Sequence, residues 1–186
     1  PGSKQGFLEQ QNSQRDAIIA ALNFNIFARH AARVRMANIA QMVNVLQAVI
    51  LTDGAKMLLT PTYHVHRMYV PFQDATFVPV AFDAGSYVHG EITLPRLDAI
   101  AAKDEDGKLW VALVNVDPKR SVQIELSAAG FERAAGETLS APRIDSVNTF
   151  EAPATVAPKP VTATSAGDKL VLDLAPQSVT VVALER

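Results

Sequence analysis

From Phe7 to about Ala32 the chain follows a three-and-four spacing. Leu8, Gln11, Arg15, Ile18, Leu22 and Ile26 fall on one side, and Ile19, Phe24 and Phe27 widen the apolar stripe. This predicts a helix, apolar nearly all round in its second part and therefore buried on more than one side. RVRMANIAQ, residues 33 to 41, changes the pattern to alternation. Ala37, Ile39 and Gln41 share one face, while Val34, Met36 and Ala40 share the other. Two largely apolar faces predict a strand buried within a parallel sheet. A connecting segment reaches a turn at Thr52-Asp53-Gly54. KMLLTPTYHVHRMYVPF then predicts a second helix, with Thr60 as N-cap and Pro61 at the first helical position. Pro61, Val65, Met68, Tyr69 and Phe72 form its apolar stripe, and Pro71 limits its length.

After residue 75 the period falls to two. TFVPVAF, YVHGE, LDAIAAK, KLWVALVNV, SVQIELS, KLVLDL and QSVTVVAL all read as strands. In SVQIEL, Val122, Ile124 and Leu126 face one way and Ser121, Gln123 and Glu125 the other. LWVALVNV is apolar on both faces and predicts a central strand. DEDG at 104–107 and DPKR at 117–120 read as hairpin turns. APATVAPKPVTATSAGD reads as a long connection. The second half is therefore an antiparallel sandwich or barrel. A lone parallel strand would leave its backbone groups unsatisfied. The first half accordingly reads as the last part of a (β/α)-barrel whose earlier strands lie upstream. The expected fold is an α/β TIM-barrel remnant over residues 1–74, its last helices and strand, followed by an all-β antiparallel sandwich over 75–186.

Composition narrows the function. Of 186 residues, 48% are apolar and 19% charged, with a net charge of −2, so no basic face for nucleic acid is expected. No apolar run approaches the roughly 20 residues of a membrane span, and PGSKQGFLEQQ does not read as a signal peptide. The chain has no cysteine, which removes disulfides and thiolate metal sites and leans towards the cytoplasm. His64 and His66, two apart on a helix, point to different sides and cannot share an ion. No metal or cofactor is expected. His30 ends a helix, where it can interact with the last carbonyls, and His89 reads as a strand residue facing solvent. Trp110 could stack on a sugar, but its place inside LWVALVNV favours a core or inter-sheet role. The nucleotide and nucleophile-elbow motifs are absent.

GFLEQQNSQRDAIIAALNFNIF, RVRMANIAQMVNVLQAVILTD, KMLLTPTYHVHRMY and FQDATFVPV resemble the C-terminal part of family 51 glycoside hydrolases, the α-L-arabinofuranosidases. LWVALVNVDPKRSVQIEL, NTFEAPATVAPKP and LAPQSVTVVAL extend the resemblance over essentially the whole chain. It implies a TIM barrel followed by a jelly-roll-like β-sandwich, and removal of terminal arabinofuranosyl groups with retention of configuration. It also implies that both catalytic glutamates lie upstream of Pro1, so no catalytic residue is expected here and the fragment alone should be inactive. The acids of the first 74 residues, Glu9, Asp16, Asp53 and Asp74, agree with this. None stands at the end of the expected strand, where barrel chemistry is built.

Gln41 is the substrate-binding residue that the resemblance implies. It ends the strand at the barrel mouth, and its neutral amide can donate to and accept from sugar hydroxyls. Asn38 and Asn44 are expected to tie down the strand and the following loop, whereas the sequence offers no role for Gln47. The expected partners are an arabinose-containing oligosaccharide or polysaccharide, the upstream part of the same enzyme and further copies of the chain, with no nucleic acid and no membrane. The alternative from another class is a non-catalytic β-sandwich that binds carbohydrate or a partner protein.

Overall fold

The computed structural model describes residues 12–39, 42–167 and 169–186, with Ala166 described in its backbone alone. Helix α1 spans Gln14–Arg29, so the expected helical residues 7–11 lie outside the described residues. Its first turn is closed by Asp16, whose Oδ2 accepts the amide and the hydroxyl of Ser13, both at 2.8 Å, as in a capping box. His30 ends the helix through its amide, which donates to Phe27 O at 3.0 Å. The buried face is Gln14, Ala17, Ile18, Ala21 and Asn25, built from small and amide side chains. Ile19 and Ile26 are 49% and 48% exposed. The expected burial on several sides is thus corrected: among the described residues α1 buries one face.

Residues 34–39 carry no regular structure, and Met36 is 76% exposed. The strand expected at 33–41 is therefore absent from the described part of that segment. A parallel strand takes its hydrogen bonds from flanking strands, and no strand among the described residues pairs with this one. The next stretch holds a hairpin the sequence reading passed over: β1 (Ile50–Asp53) pairs antiparallel with β2 (Lys56–Leu59). Gly54 turns it at φ +56°, a conformation glycine adopts without a Cβ penalty. Helix α2 spans Pro61–Met68 with extended Thr60 before it, as expected. The Thr60 hydroxyl caps no amide, donating instead to Ala48 O and Val49 O at 3.1 Å. A 3-10 turn, Val70–Phe72, follows.

The rest of the chain is strands: β3 (Thr76–Val78), β4 (Ser86–His89), β5 (Ile92–Pro95), β6 (Leu97–Lys103), β7 (Leu109–Asn115), β8 (Val122–Leu126), β9 (Arg133–Leu139), β10 (Lys159–Thr162), β11 (Thr164–Ala166), β12 (Lys169–Leu174) and β13 (Ser178–Glu185). A six-stranded antiparallel sheet has the order β10-β9-β13-β7-β6-β3, a three-stranded sheet β11-β12-β8, and β4 with β5 forms a separate hairpin. The molecule is mostly β-sandwich with few helices.

Two cores explain the double-sided apolar strands. Ile100, Ala112, Val114, Val179 and Val181 face α1 and α2, packing with Ala17, Ile18, Val65, Met68 and Tyr69. Ala99, Ala101, Val111, Leu113 and Val182 face the small sheet, against Leu170, Leu172 and Leu174. Strand β7 lies between β13 and β6 as a central strand should, and Val122, Ile124 and Leu126 turn inward as their alternation required.

Two turn readings separate here. DEDG joins β6 to its partner β7, with Lys103 opposite Leu109. DPKR joins β7 to β8, which belong to different sheets, so it is a crossover and not a hairpin. Its turn chemistry is nonetheless as expected: buried Asp117 accepts the amides of Lys119 and Arg120 at 2.9 and 3.0 Å. The long Pro- and Thr-rich connection also needs correction, since it contains β10 and β11. Pro160 is tolerated because β10 is an edge strand.

Candidate functional site

A cleft of about 290 Å³ lies between α1, the segment 37–39, Gln47 and the start of α2. One wall is apolar, from Ile19, Phe24 and Phe27. The polar lining includes Asn12, Asp16, Asn38, Gln47, Thr62 and His66. The NIAQ motif thus leads into the cleft through Asn38 and Ile39, while Gln41 itself lies outside the described residues.

Each polar group has a local reason for its place. Asp16 is held in the first turn of α1 by Ser13. His66 Nδ1 stands 3.0 Å from Thr62 O; a carbonyl only accepts, so this nitrogen carries the proton. The ring meets Phe24 edge-on, with centroids 4.9 Å apart. Asn12 donates through Nδ2 to Ala48 O at 3.1 Å, yet its Oδ1 and the Thr62 hydroxyl are buried without partners among the described residues.

The loop after Gln41 is fastened as expected. Asn44 donates through Nδ2 to Thr52 Oγ1 and accepts from the Thr52 amide, both at 2.7 Å. Its backbone is left-handed, at φ +54°, where asparagine is among the more tolerant side chains. Gln47, for which the sequence offered no role, lines the cleft from a left-handed backbone at φ +62°. No residue pattern signals that placement.

His64 and His66 are separated as their spacing required. His66 reaches the cleft, while His64 is buried with Nδ1 unpartnered among the described residues. Burial, then the neighbouring Arg67 charge, holds the His64 imidazole below its ordinary value, against an opposing pull from Glu137. No group of three or more His, Asp or Glu side chains able to hold a metal occurs among the described residues. His89 ends β4, exposed. Trp110 is half-buried beside the helix-facing core, with Nε1 donating to Asp104 Oδ2 at 2.8 Å.

Retaining glycoside hydrolysis requires two carboxyl groups about 5 Å apart. Among the described residues only one carboxylate, Asp16, lines the cleft, and it is engaged by Ser13. The cleft can position a polar ligand or another stretch of protein, but it does not hold the pair.

Known proteins supply the context. A sequence model of the α-L-arabinofuranosidase C-terminal domain matches residues 2–178. An intracellular exo-α-L-arabinofuranosidase of Bacteroides ovatus is 42% identical over 163 residues, 86% of this chain and 32% of that protein. The crystal structure of a GH51 arabinofuranosidase from Xanthomonas axonopodis pv. citri superposes with a TM-score of 0.92 at 46% identity, over 100% of this chain and 38% of that one. The thermostable GH51 α-L-arabinofuranosidase of Thermotoga petrophila RKU-1 gives 0.82 at 26% identity, covering 96% and 40%. The chain thus spans about a third of the length of its relatives.

Proposed function

The chain belongs to the α-L-arabinofuranosidase C-terminal domain family, and we propose on that premise that it is the C-terminal portion of a retaining α-L-arabinofuranosidase. In this reading residues 1–74 complete a (β/α)8 barrel and residues 75–186 form the jelly-roll-like sandwich that braces it. The nucleophile and the acid/base carboxylate come from the upstream part of the same protein, which is its first partner. Gln41 contributes hydrogen bonds to the arabinose hydroxyls at the barrel mouth. The substrate is an arabinose-containing oligosaccharide or polysaccharide, the location is the cytoplasm, and the enzyme self-associates.

One observation carries this reading. Ile19, Ile26 and Phe27 of α1, and Met36, Met42 and Val43 after it, are exposed. Large apolar side chains exposed in this number over residues 19–43 are where further protein packs. Ile19 and Phe27 also line the cleft beside α1. A barrel wall laid on this side would cover the apolar side chains.

The test is hydrolysis of p-nitrophenyl α-L-arabinofuranoside by the longer protein and by residues 1–186 alone. Turnover by the first and none by the second is expected, and Gln41→Ala in the longer protein should raise KM. Turnover by residues 1–186 alone would overturn the placement of both carboxylates.

A further inference from the structure

We propose that a second cleft, a groove on the helix-facing side of the six-stranded sheet, is a binding subsite for a neutral saccharide. The groove holds about 290 Å³, close to the lower limit of small-molecule sites. None of its lining residues is shared with the cleft between α1 and α2.

Register makes the groove. Ala183 of β13 lies between Trp110 of β7 and Ala135 of β9. One large aromatic side chain beside two alanines leaves a step on an otherwise even sheet. Gly136 lets β9 lie close against β13 beneath the floor: a Cβ there would fall 2.0 Å from Val181 O. The end of α2 and the following turn, through Met68 and Pro71, close one side.

The polar groups suit an uncharged polyol. Trp110 is held in orientation by its bond to Asp104, and the ammonium of exposed Lys108 lies 5.2 Å from the ring centroid. Across the floor Arg67 Nη2 meets Glu137 Oε2 at 2.5 Å, both side chains partly exposed, and Glu185 completes the rim. Among the lining side chains two cations face two carboxylates, and Asp104 beside Trp110 adds a third, so an anionic ligand gains no net attraction. A sugar instead presents C–H groups to an indole face, while its hydroxyls donate to carboxylates and accept from guanidinium and ammonium. Lys108 sits on a hairpin tip and can move aside to flank such a ring.

Trp110 is the single tryptophan of the 186 residues, so its emission reports on this groove alone. Residues 1–186 are titrated with arabinotetraose, xylotetraose and tetragalacturonate. A saturable change in emission with a neutral sugar, weaker or absent with the anionic one, is expected. Arg67→Ala, at an exposed position, should weaken binding roughly tenfold, the size of one hydrogen bond to a charged group. No saturable change with either neutral sugar to about 10 mM, tighter binding of tetragalacturonate, or unchanged affinity in Arg67→Ala would each overturn the proposal. Only the choice of arabinotetraose rests on the enzyme reading. A failed hydrolysis assay leaves this titration unaffected, so the two ideas fail separately.

Discussion

The phenolic hydroxyl of Tyr69 donates a 2.8 Å hydrogen bond to Oδ1 of Asn25, and both residues are buried. Asn25 Nδ2 passes the connection to Asp98 Oδ2 at 2.9 Å, and Arg29 pairs with the same carboxylate. The end of α2, the middle of α1 and strand β6 are thereby joined through one polar line inside an apolar layer. Burial, then the Asp98 charge, pushes the Tyr69 phenol well above its ordinary value, so it remains a donor at any working pH. Tyr69→Phe leaves Asn25 Oδ1 buried and unpaired and should cost about 1–3 kcal/mol. Urea unfolding of residues 1–186 measures this, and a loss under 0.5 kcal/mol would mean the line contributes little.

Gly136 is the tightest point of the large sheet. A Cβ on it would overlap the backbone of β13 at Val181 and Val182, and backbone cannot rotate away as a side chain can. Gly136→Ala should force β9 from β13 at a cost of about 1–3 kcal/mol. A lowered Tm together with loss of hydrogen-exchange protection in β9 and β10 is the expected result. An unchanged Tm would show that the two strands separate freely.

Phe27 separates the isolated chain from the longer protein. In the isolated chain it is 36% exposed, and Phe27→Asp, which removes a partly buried ring and puts a negative charge in the last turn of α1, should cost about 1–2 kcal/mol. If a barrel wall covers this face, the same substitution in the longer protein buries a charge and should cost several kcal/mol. Paired thermal melts of both lengths decide the matter. Equal effects in the two would leave the α1 face without a partner.

His64 makes stability depend on pH. Its folded imidazole titrates below the ordinary value of 6.5, chiefly because it is buried. The unfolded chain therefore takes up the proton first as pH falls through 6.5. Stability is full above that value, declines below it, and levels off once the folded imidazole is also protonated. Melts at pH 7.5 and 5.5 should show a larger loss for the native chain than for His64→Gln. Parallel losses would assign the acid sensitivity elsewhere.

Much of the sandwich is legible in the sequence because its strands combine local alternation with recognisable turns. Val122, Ile124 and Leu126 face inward through period two alone, and Asp104 with Gly107 specifies a hairpin by local hydrogen bonding. Strand β9, by contrast, is RAAGETL, of low strand propensity, and it exists because β10 and β13 flank it. Lys159–Thr162 reads as a loop for its proline, yet its edge position requires no amide from Pro160. The candidate site divides in the same way. Asn44 was legible as an anchor of the loop, whereas Gln47 and the Trp110 groove depend on residues far apart in the chain.

What the sequence by itself determined is what neighbouring residues settle among themselves: the helix start at Pro61, the two-faced apolar character of β7, and the separation of His64 from His66. Tertiary structure decided what requires a distant partner. DPKR became a crossover because β8 pairs with β12 and not with β7. Residues 34–39 stayed irregular because a parallel strand draws its hydrogen bonds from neighbours, and none among the described residues stands beside them. Local chemistry fixes how the backbone turns, but the hydrogen bonds of a strand are completed only by whatever lies alongside it.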